Sequence, residues 1–312
     1  MAYESKALGT GSNSGAELSE VYDPIIQNTL NSETNFFNKI RRVKGSGDKP
    51  RWRVRTGRNN AVGYYAENDV ISTGNQTRAK VYGEWKLYKA PVEVTGLEIE
   101  AAKASGGELA DIYNTEIRDA TDDLMVELST DLFSTGADQT AGTALAGLKR
   151  LVDDGTNYAT LYSVTRTGSN WVSSGYDATA EAISTARMRT MIKTVLENGA
   201  NRNTLVFVTS PTQEAKYKDM LEDLQMIQPD ASRVGFEGMP AFDGVPIVST
   251  QHCDDDYMYL IDMSVLEIKE LLSPTMKPLP TAKDAEASFI RTYLELACLS
   301  PNRCYKKINL TT

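Results

Sequence analysis

The chain has 312 residues, 41% of them hydrophobic and 24% charged, and its net charge is −9. This composition is typical of a soluble protein with a substantial core, and the negative charge argues against a dedicated nucleic-acid binder, whose affinity would come from neutralising phosphates. No apolar run approaches the roughly 20 residues of a membrane helix. Three cysteines are too few for a disulfide framework or a zinc site, and a single histidine, His252, excludes a multi-histidine metal site within one chain.

The N-terminal segment has the composition of an arm. Residues 1–19 are small and polar and cannot bury enough apolar surface to order themselves. Residues 17–31 then carry a short amphipathic pattern that Pro24 interrupts. We expect a short helix or an extended arm here, held in place by a neighbouring subunit.

Residues 39–58 form the one basic region, with nine basic residues against one acidic residue. From Arg51 onward, basic side chains alternate with apolar or small ones, which predicts a half-exposed β-strand. One face of this strand carries Arg51, Arg53 and Arg55.

A second strand pattern covers residues 80–94, and a polar tip at 67–77 separates it from the first. Together the two runs predict a long β-hairpin, which is marginally stable alone and needs something to pack on. Basic and aromatic residues side by side are also compatible with stacking of single-stranded nucleic acid. Because the chain as a whole is acidic, an inter-subunit arm is the favoured interpretation.

The residues from Ser105 to Phe133 predict a single long helix with Ser105 as its N-cap. At about 1.5 Å per residue, this helix would be roughly 40 Å long. Its apolar side chains recur in steps of three and four, at Leu109, Tyr113, Ile117, Ala120, Leu124, Leu128 and Leu132.

The outer face of this helix is strongly acidic, with Arg118 as its one basic residue. Its acidic residues are Glu108, Asp111, Glu116, Asp119, Asp122, Asp123, Glu127 and Asp131. One interpretation is a solvated face, as charged faces usually are. The other is that a basic partner lies against it.

The second half of the chain alternates helices and short strands. Asp177 is expected to cap a helix that runs to about residue 198, and residues 204–209 form a continuous apolar run typical of a strand buried on both faces. Further strands are expected up to residue 310. His252, Cys253 and Asp254–Asp256 could hold a metal ion, but consecutive residues rarely converge on one ion, so a solvated turn is favoured.

The order of these elements resembles that of the major capsid proteins of tailed bacteriophages, a fold shared with encapsulins and the herpesvirus capsid floor. The order runs from a polar arm through a basic hairpin and an acidic helix to three short motifs. These motifs are Gly147-Leu148-x-x-Leu151, Val208-Thr-Ser-Pro211 and Phe242-Asp-Gly-Val-Pro-Ile-Val248. The resemblance covers residues 20 to 310.

The resemblance implies an α+β fold with a definite division of the chain. Its parts would be an N-terminal arm (1–49), an extended hairpin or E-loop (50–95), a peripheral P-domain with a spine helix (96–140), an axial A-domain (141–272) and C-terminal P-domain strands (273–312). Some relatives cross-link subunits through a lysine, and Lys80, Lys86 and Lys89 lie in the corresponding region, but nothing in the sequence shows their partner.

These features predict a structural protein without catalytic residues or cofactors. It would assemble as pentamers and hexamers into an icosahedral shell around double-stranded DNA, in a virion built in the host cytoplasm. A separate scaffolding protein and a portal would be its partners, a decoration protein is an open further partner, and no membrane is expected to be involved. We expect Arg51, Arg53 and Arg55 of one subunit to meet four acidic residues of the next, namely Asp119, Asp122, Asp123 and Glu127.

Two alternatives stay open at this point. The first is an encapsulin, a shell that holds cargo enzymes rather than a genome, although the long arm and basic hairpin favour the phage protein. The second is a metal-dependent hydrolase that would use His252 with Asp254–Asp256.

Overall fold

A computed structural model describes residues 36–55, 57, 59–105, 109–140, 142–167, 171–223 and 240–311, without the side chains of residues 55, 102–112, 222 and 223. Most of the predicted arm therefore lies outside the described residues. The helices are α1 (Phe36–Lys39), α2 (Gly96–Ser105), α3 (Leu109–Asp131), α4 (Leu148–Leu151), α5 (Thr185–Glu197) and α6 (Pro211–Asp223). The strands are β1 (Arg41–Lys44), β2 (Arg51–Arg55), β3 (Arg78–Tyr82), β4 (Lys86–Thr95), β5 (Thr160–Leu161), β6 (Val164–Thr165), β7 (Gly175–Asp177), β8 (Leu205–Thr209), β9 (Ala241–Phe242), β10 (Val245–Ser249), β11 (Met258–Asp262), β12 (Leu266–Leu279), β13 (Ala285–Cys298) and β14 (Tyr305–Lys307).

A four-stranded sheet in the order β1-β12-β13-β4 supports the long helix α3. Alternation along β4 buries Ala90, Val92 and Val94 on one face, and α3 packs against this strand. The helix buries the residues that the sequence pattern places on its inner face, namely Tyr113, Ile117, Ala120, Leu124 and Leu128. The predicted amphipathic helix is therefore confirmed, because its apolar stripe matches the buried face of the sheet.

The predicted start of this helix is wrong. Ser105 is the last residue of the separate helix α2, and α3 begins at Leu109. At the start of α2, Thr95 and Glu98 form a capping box: the Thr95 backbone N–H donates to Glu98 Oε2 at 3.0 Å, and the Glu98 N–H donates to Thr95 Oγ1 at 3.4 Å. At the other end of α3, Asp131 is not on the acidic face, because it is buried and accepts a hydrogen bond from the Tyr88 hydroxyl.

The predicted hairpin is shorter than its sequence pattern. Only β3 pairs with β2, in a two-stranded ribbon, whereas β4 pairs with β13 in the four-stranded sheet. The chain leaves the ribbon at residues 83–85, where the Trp85 indole N–H donates to the carbonyl oxygen of Gly47 at 3.1 Å. We call residues 45–50 and 83–85 the hairpin root. The continuous apolar alternation of 80–94 concealed this change of partner.

A six-stranded sheet in the order β7-β14-β11-β8-β10-β9 forms the second core. All five residues of β8 are buried, as the apolar run predicts. The Oγ of Ser184, not Asp177, caps α5 by accepting from the Arg187 N–H, because Asp177 lies in β7. Strand β12 continues through residue 272, where the family resemblance implies the end of the A-domain.

A buried guanidinium holds the loops after α4 together. Arg166 is 1% exposed, and its two Nη atoms donate at 2.5 to 3.3 Å to the carbonyl oxygens of Arg150, Leu151, Asp153 and Val172. Two of these carbonyls belong to the last turn of α4, which would otherwise lack donors. Lys306 of β14 reaches the same place, with Nζ 3.0 Å from Asp153 Oδ1. The loops are therefore fixed to the six-stranded sheet by two buried cations.

We predict that Arg166→Met lowers the free energy of unfolding of the unassembled chain by about 3 kcal/mol, because the carbonyls of Arg150, Leu151 and Val172 lose their donor and that of Asp153 keeps only the Ser174 N–H. Urea unfolding followed by far-UV circular dichroism measures the change. The exposed Arg202→Met is the matched control and should stay close to the unmodified chain. Equal losses in the two variants would contradict this assignment.

Candidate assembly surfaces

The ribbon β2-β3 presents a strongly basic face. Arg51 and Arg53 are exposed, while Val54 is buried and Trp52 is half-buried. The register places Lys80 opposite Arg53 and Arg78 opposite Arg55. We define the basic face as Arg51, Arg53, Arg55, Arg78 and Lys80. Alternation in the sequence finds the first three, but only the pairing register of the two strands adds Arg78 and Lys80.

This face is only partly neutralised within the chain. Arg51 lies 3.0 Å from Asp48, and both side chains are exposed. Among the described residues, Arg53 and Lys80 make no ion pair, and they face each other across the ribbon. Like charges directly opposite each other destabilise a strand pair. The ribbon therefore carries an electrostatic cost that an acidic partner would relieve.

Aromatic contacts fix the other side of the ribbon to the body of the protein. The Trp52 ring meets Tyr162 edge-on, with ring centroids 4.7 Å apart. Lys269 Nζ lies 4.4 Å from the centroid of the Trp52 ring, in a cation–π geometry. Because Trp52 and Val54 face inward, the alternate positions of β2 face outward, and the basic face is presented in one direction.

The outer side of α3 is the complementary surface. Glu116, Asp119, Asp122, Asp123 and Glu127 are all exposed. We define these five residues as the acidic face. The structure gives none of them an ion pair with a described residue, and the basic face of the same chain does not reach them. The members of the two faces whose side chains are described are therefore exposed, and no ion pair joins the two faces within these described residues.

The loop between β2 and β3 carries a third surface. It has no regular secondary structure in its described part, and its apolar side chains project into solvent. The most exposed are Val62, Tyr64, Tyr65, Val70 and Ile71, at 71% to 108% of full exposure. Val70 and Ile71 lie in the tip at 67–77 that the sequence predicts to be polar, and Val62, Tyr64 and Tyr65 precede it. Clustered exposed apolar residues of this kind mark an interaction site.

The acidic motif after β10 forms a turn whose side chains point to different partners. His252 Nδ1 lies 3.1 Å from Thr130 Oγ1, whereas Asp254 pairs with Lys149. Cys253 is buried, and burial is the main cause that raises the pKa of its thiol. Within the described ranges, no group of three His, Cys, Asp or Glu side chains is placed to hold a metal ion. The geometry therefore gives the hydrolase interpretation no support.

The three lysines considered for cross-linking differ in position. Lys80 and Lys89 are exposed, whereas Lys86 is buried and donates to the carbonyl oxygens of Ala137 and Thr140. In the part of the chain that the structure describes, no helix is long and apolar enough to cross a membrane.

Comparison with known protein families identifies the family of the chain that carries these surfaces. The sequence pattern of the family described as SU10 major capsid protein matches residues 6–311. The chain belongs to the SU10 major capsid protein family. Members of this family form capsid shells, so the predicted shell-forming function is confirmed. Comparison with curated protein sequences gave no match.

Solved structures confirm the fold of this family member. The capsid of cyanophage A-1(L) matches with a TM-score of 0.69 at 18% identity, covering 88% of this chain and 91% of that one. A chain of Mycobacterium phage Adephagia matches with a TM-score of 0.57 at 13% identity, covering 90% of this chain and 89% of that one. The holo-SrpI encapsulin complex of Synechococcus elongatus PCC 7942 matches with a TM-score of 0.56 at 13% identity, covering 87% of this chain and 85% of that one. The predicted α+β phage capsid fold is therefore confirmed.

We predict that Lys80→Glu raises the free energy of unfolding of the unassembled capsid protein by about 0.5 kcal/mol, because it replaces repulsion of Arg53 by attraction. Urea unfolding at low ionic strength measures the gain. Lys80→Gln, which removes repulsion without adding attraction, should gain less. The difference should shrink at about 1 M salt, where charges are screened within a few ångströms, and a gain insensitive to salt would contradict the electrostatic cause.

Proposed function

We propose that this capsid protein assembles as pentamers and hexamers into an icosahedral shell that encloses double-stranded DNA. Membership of the SU10 major capsid protein family supports the shell. The single observation that carries the mode of assembly is the pair of outward, opposite charged faces that one chain leaves unmatched. A surface and its complement on the same chain make a heterologous interface, which closes into rings when the rotation between subunits fits.

The contact we propose joins the basic face of one subunit to the acidic face of the next. Arg51, Arg53 and Arg55 lie in one five-residue strand. They would meet Asp119, Asp122, Asp123 and Glu127, which recur along two turns of α3. Exposed ion pairs contribute only about 0.2–1 kcal/mol each. Such contacts are reversible one at a time, and their repetition around a closed shell makes the whole assembly stable.

The remaining parts follow the division that the family resemblance implies. Residues 50–95 would reach over a neighbouring subunit, and the apolar loop tip offers the surface for this contact. Residues 141–272 would gather around the symmetry axes as the A-domain. A separate scaffolding protein, a portal and a decoration protein are the proposed partners, and assembly takes place in the host cytoplasm. We assign the chain no catalytic role.

Charge reversal tests the proposed contact. Arg53→Glu with Arg55→Glu should abolish shells in negative-stain electron microscopy while the circular dichroism spectrum stays unchanged, because acidic residues would then face the acidic face. Asp122→Arg with Asp123→Arg should do the same. Combining all four substitutions should restore shells, because the charges are exchanged between the two faces.

The matched control is Arg53→Lys with Arg55→Lys, which keeps the charge and should keep assembly. Normal shells in either reversal variant alone would show that the pairing is wrong. Failure of the combined variant, with both pairs individually blocking assembly, would show that the two faces have different partners. Particles from the native source that hold protein cargo and no DNA would favour the encapsulin alternative.

A further inference from the structure

One buried carboxyl group in the sheet has no partner. Glu295 of β13 is 0% exposed, and among the described residues neither of its carboxyl oxygens has a hydrogen-bond partner. Buried charges in proteins are normally paired, because an isolated carboxylate in an apolar interior costs far more than a neutral acid. Assembly as described above does not use this group.

The cations around Glu295 are engaged elsewhere. Lys86 is the cation that lowers the pKa of the Glu295 carboxyl, but its Nζ donates to Ala137 O, Thr140 O and Thr143 Oγ1. Lys269 stands opposite Glu295 in the strand register and lies 3.6 Å from Glu267.

The other charged groups near this site are also matched to each other. Lys49 is 2.7 Å from Glu84, and Arg150 is 2.9 Å from Asp138. The surroundings of Glu295 therefore contain two further carboxylates, and no ion pair joins Glu295 to a described cation, although the charge of Lys86 acts on it.

The protonation state follows from these surroundings. Burial is the largest cause that raises the pKa of the Glu295 carboxyl, Lys86 opposes it, and Asp138 and Glu84 raise the pKa further. A carboxyl whose pKa is raised in the folded chain stabilises the fold fully below its unfolded pKa of about 4.3 and loses that contribution as the pH rises through the folded pKa. The raised pKa therefore favours the neutral acid in the folded chain.

The carboxyl lies directly against the hairpin root. A Cβ atom added at Gly83 would be 3.0 Å from Glu295 Oε1, so the backbone of Gly83 covers the acid closely. The Gly83 N–H donates to the carbonyl oxygen of Pro50 at 3.0 Å, which joins the two strands of the root. A charged carboxylate needs water or donors, and it can gain them here only if the root moves away.

We propose that neutral Glu295 is a latch on the hairpin root and that loss of its proton releases the root. The direction in which the ribbon presents its basic face then depends on pH. The latch belongs to the single chain, so it stands whether or not the proposed contact between charged faces is correct.

Amide hydrogen exchange of the full-length unassembled chain, read by mass spectrometry, tests the latch. The readout is the exchange rate of peptides covering 45–50 and 83–86, divided by the rate in Glu295→Gln at the same pH, which cancels the intrinsic pH dependence of exchange. At about pH 4, where an exposed glutamate is still largely protonated, the ratio should be near one. Between the pKa of the exposed carboxyl, about 4.3, and the raised pKa of the closed form, the ratio should rise by up to about tenfold per pH unit, because opening is coupled to the loss of one proton, and above the raised pKa it should level off.

Two further variants make the test specific. Glu93→Gln, an exposed carboxyl on β4 of the same sheet, should keep the rise seen in the unmodified chain. Gly83→Ala should speed exchange of the root already at about pH 4, because its methyl group crowds Oε1. A ratio that stays at one from about pH 4 to about pH 10 would overturn the proposal, as would a rise that Glu93→Gln removes. If Glu295→Gln does not fold, α5 peptides of the unmodified chain replace it as the reference, with the same outcomes.

Discussion

The packing of α3 on the four-stranded sheet is the constraint from which the other features follow. The helix buries one side, and its acidic side must then face away from the sheet. The same sheet carries β4, whose start at Lys86 is contiguous with the hairpin root. One apolar interface therefore sets the direction of the acidic face and anchors the ribbon that carries the basic face.

The charged faces show how a shell protein can give up stability in the single chain for association. Arg53 opposite Lys80 is unfavourable in an isolated ribbon. Exposed Tyr64 and Tyr65 add apolar surface that a soluble monomer would normally bury. Both features are costly in the free chain and become favourable only against a complementary surface. This is the expected arrangement in a protein of the SU10 major capsid family, whose working form is a shell.

The interior contrasts with these surfaces, because two of its buried cations have their charged ends held by several acceptors. Arg166 and Lys306 are buried cations whose donors meet backbone carbonyls and Asp153. Glu295 differs from them because neither of its carboxyl oxygens has a hydrogen-bond partner among the described residues, and it lies against the hairpin root. A buried acid without a partner is a local conflict, and such conflicts concentrate where a structure has to move or bind.

Local sequence patterns predicted the helices and strands that depend on neighbouring residues, but they did not predict which strands pair. The spacing of Tyr113, Ile117 and Leu124 predicts the buried stripe of α3, because helical periodicity is a property of neighbouring residues. It missed α2 because the Thr95–Glu98 capping box was not considered, although both residues are readable in the sequence. It joined β3 to β4 in one strand because alternation does not reveal a change of partner.

The sequence by itself therefore determined the resemblance to the family, the helix with its acidic face and the three arginines of β2. The resemblance rests on the order of the elements and three short motifs, whereas the helix and the arginines follow from periods of two or three to four residues, which a single chain displays directly. Only the tertiary structure decided that Lys80 faces Arg53, that Tyr64 and Tyr65 are exposed, and that Glu295 lies beneath Gly83. The physical reason is that strand register and burial arise from contacts between residues far apart in the chain, and no local pattern encodes them.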